Sequence, residues 1–342
     1  MKKRILSLLM AVALAIGMLP AMAWATGTPI EIKTAEDLSK VTGSNDYVLM
    51  NDIELSGAWT PISNVSLVSD AFAGTFDGNG HTISGLNGSN GLFGFVNGAT
   101  IKNLKVEGTI SGTSANVGGI VGKTQTGTRI ENCTFAGNIK STSTGSSAGV
   151  GGIVGKVNTG SLTITNCYNT ANVTSGKNAG GILGYSSAAG TKITNSFNTG
   201  TISGASASGG IVGSMTNRNS SVSNSYWTQP DTGKGIGSGS INDGKVDSIA
   251  SVVDKLGDAF TTDASGNVIL KWEASSTPVE KNPHIVISGD SSLYMTNSGT
   301  QPQTTLTVEY KDMDDTPTVT WTADNDYVTL EQPKMPVMQT IR

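Results

Sequence analysis

Asp77, Asn79 and His81 stand at alternate positions in the run FDGNGH and form the most chemistry-like cluster of the chain. An acid, an amide and an imidazole so arranged suit proton transfer or calcium binding. The same run holds Asp-Gly and Asn-Gly, which are strong turn formers, so a tight turn is the expectation. The other histidine, His284, follows Pro283 in a linker and reads as an exposed bystander. Asp312, Asp314 and Asp315 lie near Tyr310 but lack the sixth-position glycine and late glutamate of an EF-hand loop; a solvated hairpin turn is expected there. No GxSxG occurs, and GSGSINDG near Gly237 lacks the Lys-Ser/Thr ending of a phosphate loop.

Glycoside chemistry needs two carboxylates on facing positions. Between Gly108 and Ser225 the only acid is Glu131, while acids from Glu31 to Asp77 leave a site in the N-terminal third formally open. Cys133 and Cys167 share one phase of a repeat with Leu104, Ser196 and Ser225, so a small core position is expected. Strands stacked ~4.8 Å apart would also permit a disulfide. With no CxxC and no nearby histidine, zinc is not expected. The sequence therefore assigns no catalytic residue, no metal site and no cofactor.

Most of the chain is repetition. The pairs Gly118-Gly119, Gly151-Gly152, Gly180-Gly181 and Gly209-Gly210 each precede an isoleucine, namely Ile120, Ile153, Ile182 and Ile211. The pairs start 33, 29 and 29 residues apart. Asn132, Asn166, Asn195 and Asn224 mark a second phase, and Ile139, Val173 and Ile202 a third. Such a period means stacked units. Each unit holds three short β-branched pieces bounded by Gly, Asn, Ser or Thr, with no helical period. The expected fold is all-β: a right-handed parallel β-helix of about 29 residues and three short strands per coil. Ordering ~29 backbones costs about 30–60 kcal/mol, more than one coil's buried side chains return, so coils must stack. The paired glycines are expected to serve positive φ or close backbone approach. The asparagines are expected to form a structural amide ladder, with a row of ligand contacts as the alternative.

The flanks suggest caps. Thr34 to Leu38 looks like a helix start with an N-cap threonine. Asp243–Leu256 places Val246, Ile249, Val253 and Leu256 on one helical face, with Val268–Trp272 returning as a strand. Residues 1–25 read as a signal peptide: Lys2, Lys3 and Arg4, an apolar run to Leu19, then Ala23-Trp24-Ala25. The β-helix with its caps spans 26–274, a linker 275–283, and a partial immunoglobulin-like β-sandwich 284–332, with an unstructured tail at 333–342. Without the three N-terminal bases, 19 basic side chains stand against 26 acidic ones, a charge of about −7. Nucleic acid is therefore not an expected partner, nor is an integral membrane span after cleavage.

The pattern GGIVG–IxNC/S–GxI at four positions, preceded by FAGTFDGNGHTISGL (Phe72 to Leu86) and GLFG and followed by LGDAF…VILKW (Leu256 to Trp272), resembles the GLUG-motif repeats of bacterial secreted and surface proteins. The C-terminal piece resembles a bacterial Ig-like domain. The resemblance covers roughly Ile30–Trp272. It implies an exported, adhesin-like or stalk-forming protein, secreted or on the cell surface, whose partner would be a glycan or a host or cell-surface protein. These repeats also occur in IgA-cleaving metallopeptidases, but this chain has no HExxH. The alternatives are a polysaccharide-processing β-helix enzyme and a pure spacer.

Overall fold

The computed structural model describes residues 28–64, 67–228, 233–239 and 244–274 in full, and beyond them the strands His284–Ser288, Thr304–Lys311 and Met338–Ile341. Contacts divide the chain into Met1–Ala274 and Ser275–Arg342.

The first unit is a parallel β-solenoid. One wall is a six-stranded sheet with one strand per coil: Phe93–Asn97, Val121–Gln125, Val154–Val157, Leu183–Ser186, Val212–Met215 and Ile236–Ser238. A second wall holds Asn116–Gly118, Gly149–Gly151, Asn178–Gly180 and Ala207–Gly209. The third is a fourteen-stranded sheet that starts at Ile30–Ile32 and ends at Ser221–Ser223. All pairings within these walls are parallel and register equivalent residues, as in Val121↔Val154↔Leu183↔Val212.

Where three strands per coil were expected, the coil after Gly149 has five: Gly149–Gly151, Val154–Val157, Leu162–Thr165, Tyr168–Asn169 and Asn172–Ser175. The left-handed Asn166 (φ 53°) interrupts the third wall, and the bend at Asn169 interrupts it again. In Gly151–Gly155 the first glycine ends a second-wall strand, Gly152 and Ile153 turn the corner, and Val154-Gly155 open the first-wall strand. The long first spacing also has a place. Seven residues, 142–148, join the third wall to the second in one coil, where Gly176 and Lys177 suffice in the next.

Inside runs a continuous core from Ile32 to Ile236. At its N-terminal end the helix Ala35–Ser39 inserts fully buried Leu38. Thr34 Oγ1 accepts from the Asp37 N–H at 3.2 Å, and Asp37 Oδ2 accepts from the Thr34 N–H at 3.1 Å, closing a capping box.

The C-terminal segment differs from the expected cap. Ile249–Lys255 is a 3-10 helix and not an α-helix; it buries Val252 with Ile249, while Val246 lies before it outside the helix, its N–H bonded to the Trp227 carbonyl. The hairpin Phe260–Thr262/Val268–Leu270 follows. This segment packs in a separate cluster on Tyr168 and Phe197, so it is a lateral strap along the coils. Outward aromatics on successive coils give it an apolar surface to cover, which a solenoid end would not.

In the second unit, His284–Ser288, Thr304–Lys311 and Met338–Ile341 form an antiparallel sheet. Met338–Ile341 was expected to be unstructured tail; it instead pairs antiparallel with Thr304–Thr307 as the edge strand of this sheet. The stretch 312–332 of the expected immunoglobulin-like piece lies outside the described residues, as do the signal segment 1–25 and the linker 275–283.

Candidate functional site

Ile120, Ile153, Ile182 and Ile211 stand in single file and are essentially unexposed. The Ile120 N–H donates to the Ile153 carbonyl at 3.1 Å, Ile153 to Ile182 at 3.1 Å, and Ile182 to Ile211 at 2.8 Å. The paired glycines keep negative φ, so they exist for space and not for left-handed backbone. A Cβ on Gly118, Gly151, Gly180 or Gly209 would strike backbone of its own corner and of the next coil. A Cβ on Gly119, Gly152, Gly181 or Gly210 would land on Phe135, Asn169, Asn198 or Trp227 respectively. Those four form an inward column on the opposite wall, in register. The second glycine of each pair is thus the socket for a side chain reaching across the core.

Asn169 and Asn198 in that column are fully buried polar groups that the repeat pattern did not single out. Each binds the backbone N–H and C=O two residues ahead, and Asn169 Nδ2 also donates to Asn198 Oδ1 at 2.7 Å. Their amides are satisfied, as burial requires.

Asn132, Asn166, Asn195 and Asn224 form a second column, all with φ between 45° and 53°. Nδ2 of Asn224 donates to Asn195 Oδ1 (3.4 Å), Asn195 to Asn166 (3.3 Å), Asn166 to Asn132 (3.0 Å) and Asn132 to Asn103 (3.0 Å). Asn103 donates to Asp77 Oδ1 at 3.0 Å. Beside this column Cys133, Cys167, Ser196 and Ser225 point inward, each donating to the carbonyl two residues back. No disulfide joins Cys133 and Cys167, and burial, with Cys167 close by, pushes the Cys133 thiol well up.

Asp77, Asn79 and His81 do not converge. Asp77 Oδ1 accepts from the Asn79 N–H at 2.9 Å, an Asx turn, and Oδ2 meets Lys102 Nζ at 3.1 Å. His81 Nδ1 lies 3.2 Å from Asp52 Oδ1, which also accepts from the Thr82 N–H at 2.8 Å. The His81 contact holds the Asp52 carboxyl below its ordinary range. Among the described residues no cluster suits a metal ion. Asp312, Asp314 and Asp315 lie outside them.

A cleft of about 450 Å³ lies between the strap and the third wall. Its floor is an outward file in register, Lys105, Thr134, Tyr168 and Phe197. Tyr168 and Phe197 stack at 4.7 Å and 5°. Glu273 anchors the strap here: both carboxylate oxygens accept from the Tyr168 hydroxyl at 2.8 Å, and Oε2 also accepts from the Leu270 N–H. Burial raises the Glu273 carboxyl above its usual range, and burial beside that carboxylate raises the Tyr168 phenol. The aromatics Tyr168, Phe197 and Tyr226 recur every 29 residues, a signal the sequence carried.

Residues 113–140 match the family model described as the GLUG motif. This chain carries a GLUG motif within a parallel β-solenoid. Over 134 residues, 33% of its length, it is 34% identical to halomucin of Haloquadratum walsbyi, and it spans about 1% of that relative's length. A candidate immunoglobulin A1 protease from Bacteroides ovatus shares the fold, with a TM-score of 0.52, 19% identity, and 72% of this chain and 93% of that one covered. At that identity the GLUG-bearing chain and its neighbour share architecture. No helix of its described residues is long and apolar enough to cross a membrane.

Proposed function

We propose that this chain is an exported, non-catalytic solenoid at the cell surface or in the extracellular medium, acting as an adhesin-like binding surface or stalk. The state of its carboxylates carries this reading. From residue 108 to 225 only Glu131 is acidic, and it lies 3.5 Å from Arg129. Glu273, the half-buried acid beside the cleft, has both oxygens engaged by Tyr168. The GLUG motif and the signal-like N-terminus support export, and the halomucin likeness supports an extracellular setting.

A polysaccharide-processing enzyme is the second reading, favoured by the cleft, where Asp247 and Asp263 also lie. Glycan-array and whole-cell binding with the full chain, beside depolymerisation assays, separate the two. Binding without turnover is expected; turnover abolished by Glu273→Gln would transfer the function to the enzyme reading.

A further inference from the structure

Two lysines of the array stand together without a counter-charge. Lys123 and Lys156 are register partners on adjacent coils of the six-stranded wall, on strands whose backbones lie ~4.8 Å apart. The same outward file continues to Phe95 on one side and Tyr185 on the other. Lys123 Nζ sits 3.7 Å from the centre of the buried Phe95 ring, and Lys156 Nζ 5.6 Å from that of Tyr185. Among the described residues neither ammonium forms an ion pair; Lys156 donates only to Ser147 Oγ, at 2.9 Å. Both are half-buried, and burial lowers both pKa values, that of Lys123 further through its neighbour.

The surroundings make a crease. A Cβ on Gly149, in the adjoining wall, would come within 2.6 Å of Tyr185 Cβ, so that wall closes against the lysine file. Ser147 reaches Lys156 because it lies on the corner 142–148, the one lengthened beyond its counterpart in the next coil. The irregular spacing of the repeat therefore falls at this pair. Seven basic residues stand against one acid from 108 to 225, so the local field is positive although the whole chain carries −4.

Like charges on neighbouring coils repel, and both ammoniums are partly desolvated. An oxyanion between them relieves both penalties and gains charge-assisted hydrogen bonds. The half-buried Tyr185 ring, one coil beyond Lys156, and the Ser147 hydroxyl at the Lys156 ammonium add an apolar face and a hydroxyl partner. We infer that Lys123 and Lys156, with Tyr185 and Ser147, bind the carboxylate or sulfate group of an acidic saccharide. This names a ligand class for the binding surface proposed above and rests on that reading.

Titration of the full chain with polygalacturonate, chondroitin sulfate, neutral dextran and a single-stranded oligothymidylate tests the site. One or both acidic glycans should bind, and their relative affinity distinguishes carboxylate from sulfate; dextran should not bind. Lys123→Gln/Lys156→Gln should weaken binding by about ten-fold or more, while Lys192→Gln/Arg218→Gln should leave it within about two-fold. The conservative Lys156→Arg must retain binding, and ligand-free Lys156→Gln should melt no lower than the parent, which separates lost charge from lost fold. Failure of both glycans to bind, undiminished binding by the double variant, or equal affinity for the oligothymidylate overturns the inference. Lost glycan binding with cell attachment intact refutes this site alone, whereas depolymerisation of either glycan by the parent chain refutes the non-catalytic reading beneath it.

Discussion

Asn103 Nδ2 donates to Asp77 Oδ1 at 3.0 Å, and with that bond a column of five asparagine amides ends on a carboxylate. Every side-chain N–H in the column points toward the N-terminal coils, so the amide dipoles add in one direction. A negative charge at the donor end complements them, as an acid does at a helix N-terminus. Lys102 neutralises the other oxygen of Asp77. FDGNGH thus terminates the ladder as well as turning the chain.

Asn166 supplies one donor and one acceptor to the ladder and holds φ at 53°. Asn166→Ala should cost about 2–4 kcal/mol: two hydrogen bonds of about 0.5–1.5 kcal/mol each, and about 1 kcal/mol or more for alanine in the left-handed region. Asn166→Gly should cost about 1 kcal/mol less, because glycine accepts that φ freely. Urea unfolding of the two variants checks the order; equal losses would sink the left-handed explanation.

Gly181→Ala should destabilise by about 1–3 kcal/mol through crowding alone. Its Cβ would meet both the Asn198 side chain and the Gly210 carbonyl. Asn198→Ala should therefore not rescue it, since the carbonyl is backbone. Full rescue in a double-mutant cycle would show that only the side chain fills the socket.

Glu273 and Tyr168 should make stability fall with rising pH. Burial raises the Glu273 carboxyl, so the folded chain holds that proton more tightly than the unfolded chain does. The linked stability is greatest below the ordinary carboxylate range and is lost as pH climbs through the raised folded value. Glu273→Gln keeps an acceptor for the Tyr168 hydroxyl and should flatten that part of a melting-temperature profile. An unchanged slope in the variant would place the titration elsewhere. Tyr168→Phe should cost about 1–2 kcal/mol at neutral pH, where a half-buried carboxylate loses its donor, and less in acid.

Cys133 and Cys167 should resist maleimide in the folded chain and react on denaturation, since both are buried and burial disfavours the Cys133 thiolate. Cys167→Ser should be tolerated within about 1.5 kcal/mol, because Ser196 and Ser225 fill the same column and make the same bond to a carbonyl. Rapid labelling of the native protein would contradict the burial.

By itself the sequence determined the stacking. Equivalent residues at a near-constant stride leave one cheap way to pair every backbone group and bury every isoleucine, so the file of Ile120, Ile153, Ile182 and Ile211 followed from periodicity alone. The capping box at Thr34 was equally legible, since its bonds are local. Tertiary structure decided what faces what across the coil. That Gly181 makes room for Asn198, that Asn103 reaches Asp77, and that Ile249, Leu256 and the hairpin after them pack on Tyr168 and Phe197 are contacts between segments distant in sequence. The candidate ligand site had the least sequence signal, because Lys123 and Lys156 look like ordinary solvated charges until the walls close around them. Periodicity fixes which residues stack, whereas the direction in which each corner folds fixes which columns meet.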